Sequence, residues 1–140
     1  MEFQYCKMEI FVPETHLPAI QKALQEVDAG HIGNYDSCMS VSAVTGYWRP
    51  LEGCNPYIGD VGEISCEPEV KVEVTVYTEA VNQTIAAVKK VHQYEEPVIN
   101  VIPLWRTSFN DCLQKKKRKI DYDTSTVKIC IDDRRLRFHE

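Results

Sequence analysis

The sequence predicts an α+β fold in which two helices cover one face of a four-stranded antiparallel sheet. Two segments, 3–12 and 69–77, alternate between apolar and polar residues, which is typical of strands with one buried face. Two other segments, 14–29 and 79–92, repeat apolar residues at spacings of three and four, as amphipathic helices do. With two shorter strand-like segments, the predicted order of elements is β-α-β-β-α-β.

The first strand and the first helix are separated by a proline. The apolar side chains that share one face of the strand are Cys6, Met8, Ile10 and Val12. Pro13 ends this strand, and Gly30 ends the following helix because glycine readily adopts the left-handed conformation of a helix C-terminus. The apolar stripe of that helix consists of Leu17, Ile20, Leu24 and Val27.

The remaining elements complete the pattern. Residues 35–48 predict a second strand, and a loop rich in glycine and proline follows over residues 49–62. The third strand, 69–77, has one face formed by Val70, Val72, Val74 and Val76. The second helix places Val81, Ile85 and Val88 inward, and residues 98–102 form a last strand before Pro103. This order predicts a ferredoxin-like βαββαβ sandwich.

A change of composition near Trp105 predicts a domain of residues 1–105 and a basic C-terminal extension of residues 106–140. The first part carries 6 Lys/Arg and 15 Asp/Glu, a balance of −9, whereas the second carries 10 and 6, a balance of +4. The acidic domain argues against nucleic acid as the main partner. In the extension, residues 115–119 (KKKRK) are a solvated charge run or a contact for phosphate backbones, and residues 123–132 can add one strand.

The cellular compartment is predicted from what the sequence lacks. The first twelve residues mix charged and apolar types and do not resemble a signal peptide, and no apolar run approaches the ~18 residues that a membrane span needs. We therefore expect a cytoplasmic protein. Its six cysteines show no CxxC pair, so we expect reduced thiols, several of them small core residues on strands.

Polar residues gather in the two connections that follow a helix and precede a strand. In residues 30–38, GHIGNYDSC, the candidates for ligand binding are His31, Asn34 and Tyr35. In residues 92–97, HQYEEP, they are His92, Tyr94, Glu95 and Glu96. Taken separately, each connection is explained by an ordinary helix end and turn. If both lie at one end of the sheet, His31, His92, Glu95 and Glu96 can converge, and such mixed nitrogen and oxygen ligands suit zinc, copper or manganese.

The long loop, residues 49–63, is a third candidate. It exceeds the usual hairpin connection of about 2–5 residues, and connections of this length are often functional. It contains no phosphate-binding motif, so we interpret it as a contact or ligand-covering loop, with Tyr57 as a candidate ligand-binding residue. Because no nucleophile–base pair or cofactor motif is visible in the sequence, catalysis is ranked below binding.

Three segments resemble, in the same order, the inserted domain of YqfO-type proteins in the NIF-three-like family. They are GHIGNYDSC, GYWRPLEGCNPYIGDVGE and HQYEEPVINVIPL, within a resemblance that spans about residues 8–104. The last segment also resembles the terminal motif of CutA proteins, the divalent-cation-tolerance family. The resemblance implies a ferredoxin-like fold related to the PII signalling proteins and, as in CutA and PII proteins, a trimer.

The resemblance has limits at particular positions. Full-length NIF-three-like proteins hold a dinuclear metal site in a flanking domain that this sequence does not contain, so neither its ligands nor a GTP cyclohydrolase-like activity is carried over. Gln93 stands where the family usually has proline, and Glu96 stands where CutA has an apolar residue.

We therefore predict an oligomeric binding or regulatory module, not an enzyme, with its ligand near the subunit clefts. The homo-oligomer, a trimer in preference to a dimer, would use the free sheet face, which carries Tyr5, Phe11 and Tyr77. The alternatives are a divalent-metal-binding protein that uses the His31, His92, Glu95 and Glu96 set and a purely structural oligomerisation domain.

Overall fold

Two α-helices pack on one face of a four-stranded antiparallel sheet in the computed structural model, which describes residues 2–109. The elements are β1 (Tyr5–Val12), α1 (Leu17–Glu26), β2 (Ser40–Trp48), β3 (Ser65–Tyr77), α2 (Val81–Val91) and β4 (Ile99–Leu104). The strand order across the sheet is β2-β3-β1-β4. The predicted ferredoxin-like fold is confirmed. The predictions for residues 110–140, including the basic run and the added strand, lie outside the described residues.

The core lies between the sheet and the helices. Ile10 in the central strand β1 is paired with Val72 of β3 on one side and with Ile99 of β4 on the other, so these residues share the face that the helices cover. The most completely buried apolar side chains are Met8, Ile10, Val12, Ile20, Leu24, Val72 and Val88. Burial of each such side chain contributes about 1.5–3 kcal/mol to the hydrophobic free energy of folding.

Both helices are shorter than the sequence predicts. Each begins with a single 3₁₀ turn, Glu14–His16 or Thr78–Ala80, before the α-helix starts. Helix α1 ends at Glu26 because Asp28 already adopts a left-handed conformation, with φ of 56°, two residues before Gly30. Within residues 2–109, neither helix has both the length and the apolar composition that crossing a membrane requires.

Two strands extend through prolines that lie just outside the predicted strands, at positions 68 and 103. Strand β3 begins at Ser65, and Pro68 lies opposite Thr45 of β2. Pairing of β3 with β1 covers only Val70–Tyr77, so Pro68 has a neighbouring strand on one side alone. Pro103 lies in β4, which is an edge strand. Both prolines are tolerated because edge positions do not require an N–H group on both sides.

Strand β2 begins at Ser40, five residues later than predicted, because the chain first makes a compact turn. Ile32 and Tyr35 exchange backbone hydrogen bonds of 2.8 and 3.0 Å, and the Cys38 N–H group donates to the Gly30 carbonyl at 3.0 Å. Gly30 has φ of 78°, and a Cβ atom at this position would overlap the Cys38 carbonyl group. The turn therefore depends on glycine at position 30.

The sheet face opposite the helices is polar at its centre. Lys7 Nζ lies 3.1 Å from Glu73 Oε1, and Lys71 Nζ lies 3.8 Å from Glu9 Oε2. These pairs connect β1 to β3 directly across the strands. Each carboxylate at the centre of this face therefore has a lysine partner.

Most of the described cysteines lie outside the core. The four described cysteines are free thiols, and of these only Cys6 is buried in the core. Cys38 and Cys54 are partly exposed, and Cys66 is exposed on the part of β3 that extends past β1. The expectation that several cysteines are core residues is therefore wrong for residues 2–109, and the other two cysteines lie outside this range.

Candidate functional site

The two polar connections lie at opposite ends of the sheet, so the expectation that they converge is wrong. The Gly30 N–H group donates to the carbonyl of Thr75, which is paired with Lys7 near the start of β1. His92 Nε2 instead lies 2.7 Å from the carbonyl oxygen of Phe11, near the end of β1. The four residue steps from Lys7 to Phe11 span about 13 Å at ~3.3 Å per residue. The separation arises because the two helices run in opposite directions, which places their C-termini at opposite ends.

His31 belongs to an exposed turn that satisfies its own polar groups. Its Nδ1 atom lies 2.9 and 3.0 Å from the two carboxylate oxygens of Asp28, and Nε2 lies 3.1 Å from the Gly33 carbonyl oxygen. Hydrogen bonding to Asp28, together with its negative charge, raises the pKa of His31 above its ordinary value of 6.5. Asn34 and Tyr35 lie in the same turn, and 74% of the Tyr35 surface is exposed.

His92 connects the end of α2 to the end of β1. Its Nε2–H group donates to the Phe11 carbonyl at 2.7 Å, and its Nδ1 atom accepts from the Tyr94 backbone N–H at 3.1 Å. This pattern requires a neutral imidazole with the proton on Nε2. Burial lowers the pKa of His92 below 6.5 and favours the same neutral form. Both ring nitrogens are therefore engaged in holding the turn that carries Tyr94.

A cavity of about 570 Å³ lies between the sheet, the loop after β2 and the turn after α2. This volume falls in the range of small-molecule binding sites. The aromatic residues in its lining are Phe11, Tyr47, Trp48, Tyr57 and Tyr94. The charged residues in its lining are Arg49, Glu69, Glu95 and Glu96. The register of the strands places Phe11, Val44 and Glu69 on the sheet face opposite the helices.

Three hydrogen bonds hold the loop of residues 49–64 against this cavity. They join Trp48 Nε1–H to the Ile58 carbonyl at 3.1 Å, Gly62 N–H to the Pro50 carbonyl at 2.8 Å, and Asn55 N–H to Glu95 Oε2 at 2.9 Å. The third bond joins two connections that are 40 residues apart in the sequence. The loop is therefore tied to the turn after α2 and forms one wall of the cavity.

Tyr94 lies among the aromatic residues of the cavity. Its ring centroid is 5.7 Å from that of Trp48 and 6.3 Å from that of Tyr57, both in tilted arrangements. Its hydroxyl group is buried beside the Glu69 carboxylate, and its oxygen accepts no hydrogen bond from the described residues. Burial, followed by the interaction with the nearby Glu69 carboxylate, strongly raises the pKa of this hydroxyl. Tyr94 is therefore a neutral phenol at physiological pH.

Glu69 is a buried carboxylate without a cationic side chain to balance it in the described part of the chain. Only 8% of its surface is exposed, and no lysine or arginine of residues 2–109 forms an ion pair with it. Its side chain lies over Gly46 of β2, where any Cβ atom would overlap the Glu69 carboxylate. Glycine at position 46 therefore creates the space that Glu69 occupies in the cavity wall.

The cavity brings together half of the ligand-binding residues that the sequence predicts. Tyr57, Tyr94, Glu95 and Glu96 line it, whereas His31, Asn34, Tyr35 and His92 do not. The His31 turn lies at the other end of the sheet, and the His92 ring is directed toward the Phe11 carbonyl.

The residues predicted as a metal site do not form one group in the described chain. Within residues 2–109, no three His, Cys, Asp or Glu side chains lie close enough together to hold a metal ion. His31 is separated from the other three by the length of the sheet, and both nitrogens of His92 already have partners.

Sequence reasoning missed a buried carboxylate in the cavity wall. Glu69 is the first residue of the predicted third strand, and the sequence pattern assigned it no role in a site. One signal in the sequence pointed toward it, because a glycine inside a strand, such as Gly46, often marks the close approach of another group. Which group approaches is decided only by the pairing of β2 with β3.

Comparison with known proteins shows similarity to one segment of larger proteins. No family model matches the chain. The GTP cyclohydrolase 1 type 2 homolog of Halalkalibacterium halodurans is 43% identical over 98 residues, which cover 70% of this chain and 26% of that protein. The homolog of Bacillus subtilis is 36% identical over 102 residues, with 72% and 27% covered. The chain thus spans about a quarter of the length of the curated relatives it matches.

Solved structures support the same comparison. A Bacillus cereus protein related to NIF3 has a TM-score of 0.65 and 35% identity, over 74% of this chain and 26% of that one. CutA1 of Shewanella sp. SIB1 has a TM-score of 0.59 and 20% identity, over 84% of this chain and 96% of that one, which shows similarity of fold alone. The chain therefore has the ferredoxin-like fold of CutA proteins and is similar in sequence to one segment of the GTP cyclohydrolase 1 type 2 homologs.

Proposed function

We propose that the domain of residues 1–105 is a binding or regulatory module that takes a small molecule in the cavity under the 49–64 loop. One observation carries the proposal: the cavity combines aromatic walls with a buried carboxylate and a buried hydroxyl group. Binding sites for small molecules have this character, in which apolar walls surround a few polar groups. The proposal assigns no catalytic step. The relatives are named after GTP cyclohydrolase 1 type 2, but this chain spans only about a quarter of their length.

We further infer that the chain assembles into a homo-oligomer, with a trimer as the expected form. Five of the large exposed apolar side chains lie where β2 and β3 extend past β1 and in the loop between them; they are Tyr47, Leu51, Tyr57, Val61 and Ile64. Exposed apolar surface of this kind is typical of protein contacts. A neighbouring protomer that covers these side chains would place the cavity close to a subunit cleft.

A purely structural oligomerisation domain is the alternative. It uses the same exposed apolar surface but leaves the cavity without a ligand. The metal-binding alternative requires either a site shared between protomers or a site with fewer than three protein ligands. The reason is that the described residues of a single chain do not bring three such ligands together.

A native mass spectrum separates the binding role from the structural one. Untagged full-length protein, purified without chelator, is incubated with the small-molecule fraction of a bacterial extract and then measured. A trimer that carries a discrete added mass supports the binding module and reports the mass of the ligand. An oligomer without added mass supports the structural alternative, and a monomer contradicts the proposed assembly.

A matched pair of variants locates the ligand. Val44 and Ser42 lie on the same face of β2, and Val44 lines the cavity whereas Ser42 does not. Val44→Trp should fill the cavity and remove the added mass, whereas Ser42→Trp should retain it. Equal retention by both variants would place the bound molecule elsewhere.

A further inference from the structure

The geometry points to a small organic cation as the ligand of this cavity, namely an amine, amidinium or guanidinium group attached to an apolar body. This inference rests on the proposed binding function and specifies its chemistry. Three observations carry it: Glu69 has no ion-pair partner within residues 2–109, the Tyr94 hydroxyl oxygen beside it accepts no hydrogen bond there, and aromatic residues form the walls.

Glu69 differs from Glu9 and Glu73 in lacking an ion pair within residues 2–109, and from Glu67, which also lacks one, in being buried. Glu73 and Glu9 each have a lysine within ion-pair distance, and Lys71 contributes to both pairs. Glu69, two positions before Lys71 on the same face of β3, is the most buried of the three and forms no such pair within residues 2–109. A buried carboxylate without a cationic partner is costly. A cationic group of a ligand in the cavity would supply the missing partner.

The Tyr94 hydroxyl offers a second polar contact beside the carboxylate. Tyr94 lines the cavity, and its buried hydroxyl group lies close enough to Glu69 for its O–H to be directed at the carboxylate. No N–H or O–H group among the described residues donates to the hydroxyl oxygen, which can therefore still accept a hydrogen bond. A ligand with two or more N–H donors can donate to Glu69 and to the Tyr94 oxygen together. Buried polar groups of this kind are normally satisfied, so the pair specifies a ligand that carries several hydrogen-bond donors.

The rings and the net charge of the lining favour a cation over a neutral or anionic ligand. Trp48, Tyr57 and Tyr94 lie around one side of the cavity, and aromatic faces attract ammonium and guanidinium groups. Three glutamates and one arginine leave a formal charge of −2 in the lining. Arg49 is exposed, whereas Glu69 is buried, so the inner part of the cavity is acidic.

The same lining favours an organic cation over a metal ion. Hard metal ions such as Ca²⁺ take six to eight oxygen ligands. The described lining offers one buried carboxylate, surrounded mainly by rings and apolar side chains. A planar cation with an apolar ring matches this combination better because it can contact the rings and the carboxylate at once.

Benzamidine and benzamide test the inference, since they have nearly the same shape but only benzamidine is charged. Isothermal titration of the full-length protein should show that benzamidine binds at least tenfold more tightly than benzamide. Glu69→Gln, which keeps the size of the side chain, should weaken benzamidine binding at least tenfold. Glu73→Gln serves as the control, because Glu73 lies on the same strand and face but has lysine partners. Urea unfolding of each variant confirms that it is folded.

The opposite results overturn the inference. Equal binding of benzamidine and benzamide, or unchanged binding in Glu69→Gln, would show that charge at Glu69 does not select the ligand. Preferential binding of benzoate would indicate an anion site at Arg49. A third result is that the wild type does not bind benzamidine and Glu69→Gln no longer assembles. This result would indicate that a side chain of a second copy fills the cavity.

These outcomes also separate the inference from the proposed function. Benzamidine can fail to bind while the native spectrum still shows an added mass that Val44→Trp removes. In that case the cavity binds a small molecule, and only the inference that this molecule is a cation is wrong. If neither binds, the binding module itself is contradicted.

Discussion

The side chain of Glu69 lies where a side chain at position 46 would project, and position 46 is glycine. The two residues belong to neighbouring strands, β3 and β2, and both line the cavity. This arrangement keeps a carboxylate buried at the wall of an aromatic cavity, where one additional methyl group on the facing strand would displace it. The relationship makes Gly46 and Glu69 a coupled pair.

The first prediction is that Gly46→Ala destabilises the fold through Glu69. Overpacking of a filled site costs about 1–3 kcal/mol. Because the new Cβ meets the outer atoms of the Glu69 side chain, which can move, we expect a loss near the lower end of this range in the free energy of unfolding measured with urea. In a Glu69→Ala background the same change should cost much less, because the carboxylate that it displaces is gone. The double-mutant cycle measures this coupling.

The outcome against this prediction is specific. If Gly46→Ala costs the same with and without Glu69, the glycine serves the backbone of β2 and not the space for the carboxylate. Ser42→Ala, on the same face of β2 but outside the cavity lining, provides the baseline for a small change in this strand.

The second prediction concerns His31 and His92, whose pKa values should lie on opposite sides of 6.5. Burial lowers the pKa of His92, whereas Asp28 raises that of His31. NMR titration of the imidazole Cε1–H signals, assigned with His31→Asn and His92→Asn, should show this order. The His92 signal should also have the chemical shifts of the neutral tautomer protonated on Nε2 at pH 7.

The pH dependence of stability follows from these directions. His92 is harder to protonate in the folded state, so its contribution is complete above pH 6.5 and is lost as the pH falls from 6.5 through its lower folded-state pKa. His31 acts in the opposite sense: its contribution is present below 6.5 and is lost as the pH rises through its folded-state pKa. A His92 pKa at or above 6.5 would contradict the buried neutral assignment.

The third prediction distinguishes two glycines of the turn before β2. Both have positive φ, 78° at Gly30 and 59° at Gly33, so alanine at either position costs about 1–2 kcal/mol for the left-handed conformation alone. At Gly30 the new Cβ also overlaps the backbone of Cys38, whereas no atom lies within 4 Å of the corresponding position at Gly33. Gly30→Ala should therefore lower the free energy of unfolding distinctly more than Gly33→Ala. Similar losses in both variants, measured with urea, would show that the backbone at Cys38 shifts at little cost to make room for the new Cβ atom.

The fourth prediction tests the attachment of the 49–64 loop. Trp48→Phe keeps an aromatic ring but removes the N–H donor to the Ile58 carbonyl, at a cost of about 0.5–1.5 kcal/mol for a typical hydrogen bond. Amide hydrogen exchange should become faster within the loop, including at Gly62, and remain unchanged in the helices. Trp105→Phe is the control, because that side chain is 75% exposed. Equal exchange in both variants would mean that the indole N–H does not hold the loop.

The sequence by itself determined the order of elements and the composition of the core. Alternation in β1 and β3 and the stripes on the two helices identify the faces on which Met8, Ile10, Ile20, Leu24 and Val88 are buried. Such periodicity reports directly which side of an element is removed from water, so it needs no knowledge of the neighbouring elements. The boundaries at Pro68 and Pro103 were missed, because whether a proline fits depends on which strand lies beside it.

Only the tertiary structure decided which polar residues meet. The chain direction of the two helices separates the His31 turn from the Glu95 turn, and the register of β2 with β3 brings Glu69 over Gly46. The hydrogen bond from Asn55 to Glu95 joins segments 40 residues apart and thereby sets the wall of the cavity. These relationships arise from long-range pairing and side-chain direction, which a local pattern of apolar and polar residues does not encode.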